Sequence, residues 1–358
     1  MQPFFMKSKT LFGSVVAIFC VGAVACQHDD QQTAQYPQQP YPQQYPYPAQ
    51  QSPYPAQPGA PAPQPGMQAP QPGMPVAPGA VATIAPQLPA GPDPINTTNL
   101  PFLRAEASSV MRELISNLPP LQQGRVANVP IVVDSTPGDV NAFATCTQDG
   151  KAAMAVTDGL FDIQAHLARA KAYDEAAGTN KVADYIQLIA HGQQPNQPIV
   201  QPPVNFFDPN IDNQPNKLLR QREVLDEEIA FVLGHELAHH YLGHLPCTGA
   251  GNLPPQEIAR MLANTVPLFN QPNEVAADTY GLTDTLTTGS RRNGYHFTEG
   301  GALLTMQFFA GLDQFSASDI LFAFERDHPP PTLRSPIIQQ TANLWRATGG
   351  RLPAYPPI

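Results

Sequence analysis

The sequence predicts an α+β fold, mainly helical with a small sheet, from about residue 94 to residue 358, and three features point to it. Through residues 217–243, Leu225, Ile229 and Val232 are spaced by four and three, and Leu233, Leu237 and Tyr241 by four and four, which is helix periodicity. Residues 153–156, Ala-Met-Ala-Val, form a short apolar run of strand length. The chain from 94 onward is long enough to bury one well-packed core.

The elements follow in chain order. Lys7 and Lys9 precede an apolar run over 11–25 that is shorter than the ~20 residues a membrane span needs and has the layout of a secretory signal. Residues 1–25 are therefore expected to be a signal peptide. Ala23-Val24-Ala25-Cys26 resembles a bacterial lipobox with alanine where leucine is usual, so Cys26 is the expected lipid attachment point and ordinary cleavage after Ala25 is the alternative. Gln27 after that cysteine favours, by analogy with sorted lipoproteins, the outer membrane over the inner one. The expected address is thus a periplasm-facing lipoprotein of the cell envelope, the alternative a soluble periplasmic or secreted protein.

Residues 26–93 are dominated by Pro, Gln, Tyr, Ala and Gly, with repeated Tyr-Pro and Gln-Pro-Gly units and almost no charge. Such a segment builds no core and is expected to be a disordered tether. At ~3.1 Å per residue its polyproline-like stretches reach on the order of 200 Å if fully extended. Binding to an aromatic-lined partner groove is the other reading of this composition.

Within the expected helix over 217–243 lies His235-Glu236-Leu237-Ala238-His239. Histidines four apart share one helix face and can close on one zinc ion, which leaves Glu236 beside the metal as a general base. Two residues of offset from Leu233 and Leu237 turn the histidines about 200° away from the apolar stripe, toward a cleft. Gly243 and Pro246 are expected to end the helix.

A catalytic zinc usually has three protein ligands and one open position. The metzincin arrangement is excluded, because Leu245 occupies the place of its third histidine and Leu242 that of its glycine. His240 and His244 point elsewhere on the helix and read as surface histidines or as supports behind the ligands. Glu257 is followed four residues later by Met261, so no acid there steadies a metal histidine. Glu274 and Asp278 fit better: they share one helical face, the first placed to bind zinc and the second to accept a histidine N–H and fix its tautomer. A solvated helix face is the bland reading of the same pair.

Four motifs in order resemble the M48 metallopeptidases: Asn141-Ala142-Phe143-Ala144 with Val156-Thr157-Asp158-Gly159-Leu160; Glu228 with the HELAH segment; Glu274 with Asp278; and His328-Pro329-Pro330 with Arg334. The resemblance implies a zincin-like catalytic domain with an HExxH helix, a second ligand helix, and a small sheet whose edge strand lies beside the cleft. It also implies one Zn2+ per chain held by His235, His239 and Glu274, with Glu236 as general base and polypeptides as substrates. His328 or Arg334 would donate to the negative charge that develops on the scissile carbonyl, with His328 the better placed; a loop histidine beside prolines is its bland reading. Residues 153–156 are the expected edge strand that pairs an extended substrate.

Between Phe161 and Glu223 lie about 60 residues, far more than M48 relatives need at this point. Residues 162–216 are read as an insertion, helical over 162–189 and irregular over 193–216, that either covers the cleft as a lid or decorates the surface. With Cys20 in the signal and Cys26 at the expected lipid site, Cys146 and Cys247 remain as one disulfide pair, or as two buried thiols. A net charge of −10 and the lack of a basic run argue against nucleic acid. The expected function is a zinc endopeptidase of the envelope acting on misfolded or misassembled proteins. A zinc-stabilised chaperone-like or binding module with latent peptidase activity is the alternative.

Overall fold

The computed structural model describes residues 91–147, 149–247, 271–314 and 328–350. The expected signal peptide, Cys26, nearly all of the expected tether, and Glu257 with Met261 lie outside them. The described part is mainly helical with one small three-stranded sheet, an α+β architecture.

Helices α1 (Leu100–Asn117) and α2 (Pro120–Val126) lead into β1 (Ile131–Asp134), β2 (Ala142–Cys146) and β3 (Ala152–Thr157). Then come α3 (Asp158–Ala177), α4 (Lys181–Gly192), the single turn α5 (Pro209–Asp212) and the long α6 (Pro215–Tyr241). Among the described residues these are followed by α7 (Gln271–Ser290), α8 (Gly300–Asp313) and α9 (Pro331–Ala347).

Pro215 at the first turn of α6 and Gly243 with φ +74° just beyond its last turn set its limits, since proline lacks only an N–H the first turn leaves unpaired and glycine accepts the left-handed stop. The expected helix is present, but its environment differs from a stripe facing a core and a back facing a cleft. Residues 227–241 are buried without a break. α1, α2, α3, α7, α8 and β2 surround α6 on every side, so its polar residues are enclosed as fully as its leucines. A helix buried all round needs partners for each polar group.

The sheet order is β1-β3-β2, with β1 parallel and β2 antiparallel to β3. Residues 153–156 are therefore not an edge strand: β3 is the central strand, hydrogen-bonded on both sides, and its whole length is buried. Its unbroken apolar character reflects that enclosure. The edge facing α6 is β2, which carries the Asn-Ala-Phe-Ala motif. Thr157 N–H donates to Asn141 O at 3.0 Å, so Asn141–Thr157 is a hydrogen-bonded pair and the alternation leaves the N–H and C=O of Ala142, Ala144 and Cys146 pointing away from β3.

The expected insertion over 162–216 is two helices and an irregular run. α3 starts earlier than expected, because the Thr157 hydroxyl accepts from Leu160 N–H and caps it, and Gly178 in the left-handed region stops it before α4. Hydrogen bonds from the segment after α4 go to α3 (His166 with Gln201, Arg169 with Asp212, Tyr173 with Asp208), to Asn96, and to Lys217. Lys217 lies in the first turn of α6 and His235 about 27 Å further along it at 1.5 Å per residue. These contacts brace the Lys217 end of α6, and the same segment also packs on the loop before β2, where a Cβ on Gly138 would stand 2.3 Å from Gln197 O.

Candidate metal centre

The site begins with an unusually close helix crossing. Gly234 and Gly281 face each other where α6 meets α7: a Cβ on Gly281 would stand 2.6 Å from His235 N, and one on Gly234 would stand 2.9 Å from Gly281 O. Two missing side chains let the backbones approach, and this brings the first turns of α7 against His235 and His239.

Three donor atoms meet there. His235 Nε2 and His239 Nε2 are 3.1 Å apart. Glu274 from α7 places Oε2 at 3.4 Å from His235 Nε2 and Oε1 at 3.3 Å from His239 Nε2. Ligands at ~2.0–2.1 Å around a tetrahedral zinc stand about 3.3 Å from one another, so this donor set has the size and chemistry of a zinc site. His235, His239 and Glu274 form one of two such clusters among the described residues, and His235, Glu236 and His328 form the other.

Each group is held from behind. Asp278, one turn after Glu274, accepts from His235 Nδ1 at 3.0 Å, which leaves Nε2 with its lone pair toward the other donors. Asp278 is itself gripped by Arg334 from α9, whose Nε donates to Oδ2 at 2.9 Å and whose Nη2 donates to Oδ1 at 2.6 Å. Glu236 Oε2 accepts from the N–H of Ala144 on the β2 edge at 2.6 Å. Its other oxygen, Oε1, is buried with no hydrogen-bond partner. His328 Nδ1 lies 2.8 Å from Glu274 Oε2, and its Nε2 lies 3.9 Å from Glu236 Oε1. The expected site residues Glu236, His328, His235, His239, Glu274, Asp278 and Arg334 thus come together, all of them buried.

The two histidines left undecided by the sequence separate. His240 Nε2 is 3.0 Å from Ala153 O and ties α6 to the central strand. His244 Nδ1 is 3.1 Å from His239 Nδ1. Cys146, at the end of β2, and Cys247, beyond α6, form a disulfide with Cα atoms 5.3 Å apart, which joins the strand holding Glu236 to the turn behind His239.

Electrostatics divide the two ligand histidines. Burial lowers the pKa of His235, but its hydrogen bonds to Asp278 and Glu274 outweigh that and lift it to about 9. Burial and the neighbouring charge of His235 keep His239 neutral. Burial alone would raise Glu274 and Asp278; His235 and His328 hold Glu274, and Arg334 and His235 hold Asp278, well below the usual carboxylate range. Burial raises Glu236 above an ordinary glutamate against the pull of His235 and His328. The two ionised carboxylates suit a divalent cation, and a metal binding here displaces the proton that Asp278 and Glu274 favour on His235, since only a neutral imidazole nitrogen ligates.

Sequence reasoning missed the Ala144 N–H and the Gly234–Gly281 contact. The first is a backbone group and leaves no mark on residue type; the second had a faint signal, a glycine inside each of two helical patterns. The family model described as Peptidase family M48 matches residues 104–332. No curated protein and no solved structure matches significantly. With its zinc-sized donor set on the HExxH helix and the family match spanning most of the chain, the protein belongs to peptidase family M48, a family of zinc metallopeptidases.

Proposed function

We propose that the protein is a zinc-dependent endopeptidase of the bacterial cell envelope that cleaves misfolded or misassembled polypeptides. One observation carries the catalytic part: Glu236 has one oxygen fixed by Ala144 N–H and the other buried without a partner, beside three donor atoms at zinc spacing. A buried carboxylate oxygen left unpaired is costly, and its persistence marks a place where a reactant is to sit.

His235, His239 and Glu274 would hold the zinc, which when bound supplies a Lewis acid that polarises a carbonyl and lowers the pKa of water from 15.7 toward about 7. Glu236 Oε1 takes the proton of the attacking water and delivers it to the departing amine, while the Ala144 hydrogen bond keeps the carboxylate from rotating. General-base help of this kind contributes on the order of 10²- to 10⁴-fold. His328 Nε2 is directed to the same space and donates to the oxygen that gains negative charge. The backbone groups of Ala142 and Cys146 and the C=O of Ala144 that point away from β3, the Ala144 N–H being held by Glu236, offer an edge along which an extended chain adds as a strand, so selection reads backbone shape before side chains.

The envelope assignment is supported by the Cys146–Cys247 disulfide, a bond of oxidising compartments, together with the signal-like layout of residues 1–25 and the cysteine at 26. Attachment by lipid at Cys26, with residues 26–93 as tether, is part of the proposal. Complete burial of the site favours a second reading, a zinc-stabilised chaperone-like or binding module whose peptidase activity is latent. Glu236→Gln separates the two. Retained zinc with lost cleavage of casein supports the peptidase; a wild-type protein that binds zinc and cleaves nothing supports the module.

A further inference from the structure

We propose that His244 is the positioning residue for His239, accepting the His239 Nδ1–H at its own Nδ1 so that His239 Nε2 is left to face the metal; this rests on the zinc reading above. The two Nδ1 atoms are 3.1 Å apart and the rings meet edge to face, with centroids 5.0 Å apart.

The helix end builds this contact. His244 N–H donates to His239 O at 3.0 Å and Gly243 N–H to His240 O at 3.2 Å. Those bonds, with Gly243 at φ +74°, form the Schellman turn, in which the second residue past the cap folds back over the residue that accepts its N–H. In most helices the side chains so paired are apolar. Here they are two imidazoles, one of them a proposed ligand. Cys247, three residues on, is bonded to Cys146, so the turn is fixed from its far side as well.

The arrangement also completes a pattern. His235 is backed by Asp278, Glu274 by His328, and Glu236 by the Ala144 N–H. Among the described residues no carboxylate is hydrogen-bonded to His239 Nδ1, where His244 stands. A neutral imidazole accepts one hydrogen bond without adding a negative charge, so it sets the tautomer of His239 while making it a weaker donor than His235. His240, adjacent in sequence to His239, is engaged with Ala153 O and does not share this role.

The test measures zinc affinity of the full chain by chelator competition, with the absorption spectrum of the cobalt-substituted protein as a second readout. His244→Ala is expected to weaken zinc binding roughly 10- to 100-fold and to alter the cobalt spectrum. His244→Asn, whose Oδ1 stands near the Nδ1 position, is expected to restore both. Should His244→Ala be unfolded, His244→Leu fills the volume without an acceptor and takes its place. A variant lacking the acceptor that binds zinc as tightly as wild type with an unchanged spectrum overturns the proposal and leaves the zinc reading standing, as does an Asn variant no better than Ala. Wild-type protein that binds no zinc overturns both.

Discussion

Asp278 and Arg334 are the pair whose removal should reveal most about how the site is held. Their side chains are 1% and 2% exposed, and two hydrogen bonds of 2.9 and 2.6 Å join them in a fork. Breaking a buried pair by deleting one partner strands the other charge and costs about 3–5 kcal/mol. Against a total stability of about 5–15 kcal/mol, that is a large fraction of what keeps a domain folded. Asp278→Ala should therefore destabilise the metal-free protein by about 3–5 kcal/mol, and Arg334→Met by a similar amount. The double variant should lose far less than the sum, with a coupling on the order of 2–3 kcal/mol.

Urea unfolding of chelator-treated protein at neutral pH measures the cycle, provided the slope with denaturant is unchanged. Neutral pH is required because the pKa of Asp278 is depressed on folding: its contribution is fully present above the unfolded value near ~3.9 and is lost as pH falls through the folded value. The difference between wild type and Asp278→Ala should accordingly shrink in acid. Zinc affinity should fall about 10- to 100-fold in Asp278→Ala, since the carboxylate fixes the His235 tautomer. Single-variant losses that add to within about 0.5 kcal/mol would refute the reasoning, for then Asp278 and Arg334 act independently.

Two further outcomes follow from the packing around α6. Glu228 is fully buried with neither oxygen hydrogen-bonded, and burial, then the adjacent Glu227, push its pKa well above an ordinary glutamate. A raised carboxyl pKa adds stability below the unfolded value and loses it as pH rises, so wild type should fall behind Glu228→Gln by about 1.4 kcal/mol per pH unit above ~4.3, until the folded pKa is passed. Thermal unfolding of both proteins across pH checks this; a pH-independent difference would sink it. Gly281→Ala puts a methyl 2.6 Å from His235 N and should cost about 1–3 kcal/mol while weakening zinc binding, because α7 must move away with Glu274 and Asp278. An unchanged melting temperature with wild-type zinc affinity would show that the crossing tolerates a side chain.

What the sequence disclosed was the chemistry that repeats at helix spacing. His235, Glu236 and His239 lie within one turn, and Glu274 and Asp278 one turn apart on another helix, so their shared faces follow from 3.6 residues per turn without knowledge of the fold. The position of the edge strand did not follow. An apolar run enclosed on both faces and both sides looks the same as one exposed along an edge, because hydrogen-bond partners leave no trace in composition, so the sequence does not distinguish the central β3 from the outer β2. The surroundings of residues 162–216 are a long-range matter too: their ends adjoin site elements in sequence, while their hydrogen bonds reach Asn96 and Lys217, which residue type does not announce.

The two undecided histidines show where local pattern stops. His240 and His244 are of one residue type, both close to His239, and helix geometry alone sends both away from the metal. His240 meets β3 only because the strand crosses there, a long-range fact. His244 does not continue the helix at all: Gly243 in the left-handed region reverses the chain and returns the ring to His239. That return was legible in principle, since a glycine four residues past a metal-spaced histidine with another histidine behind it is the sequence form of a Schellman turn closing on the ligand. A helix stop next to a metal site is thus also a means of placing a side chain behind the last ligand, at a position that helical periodicity assigns to a different face.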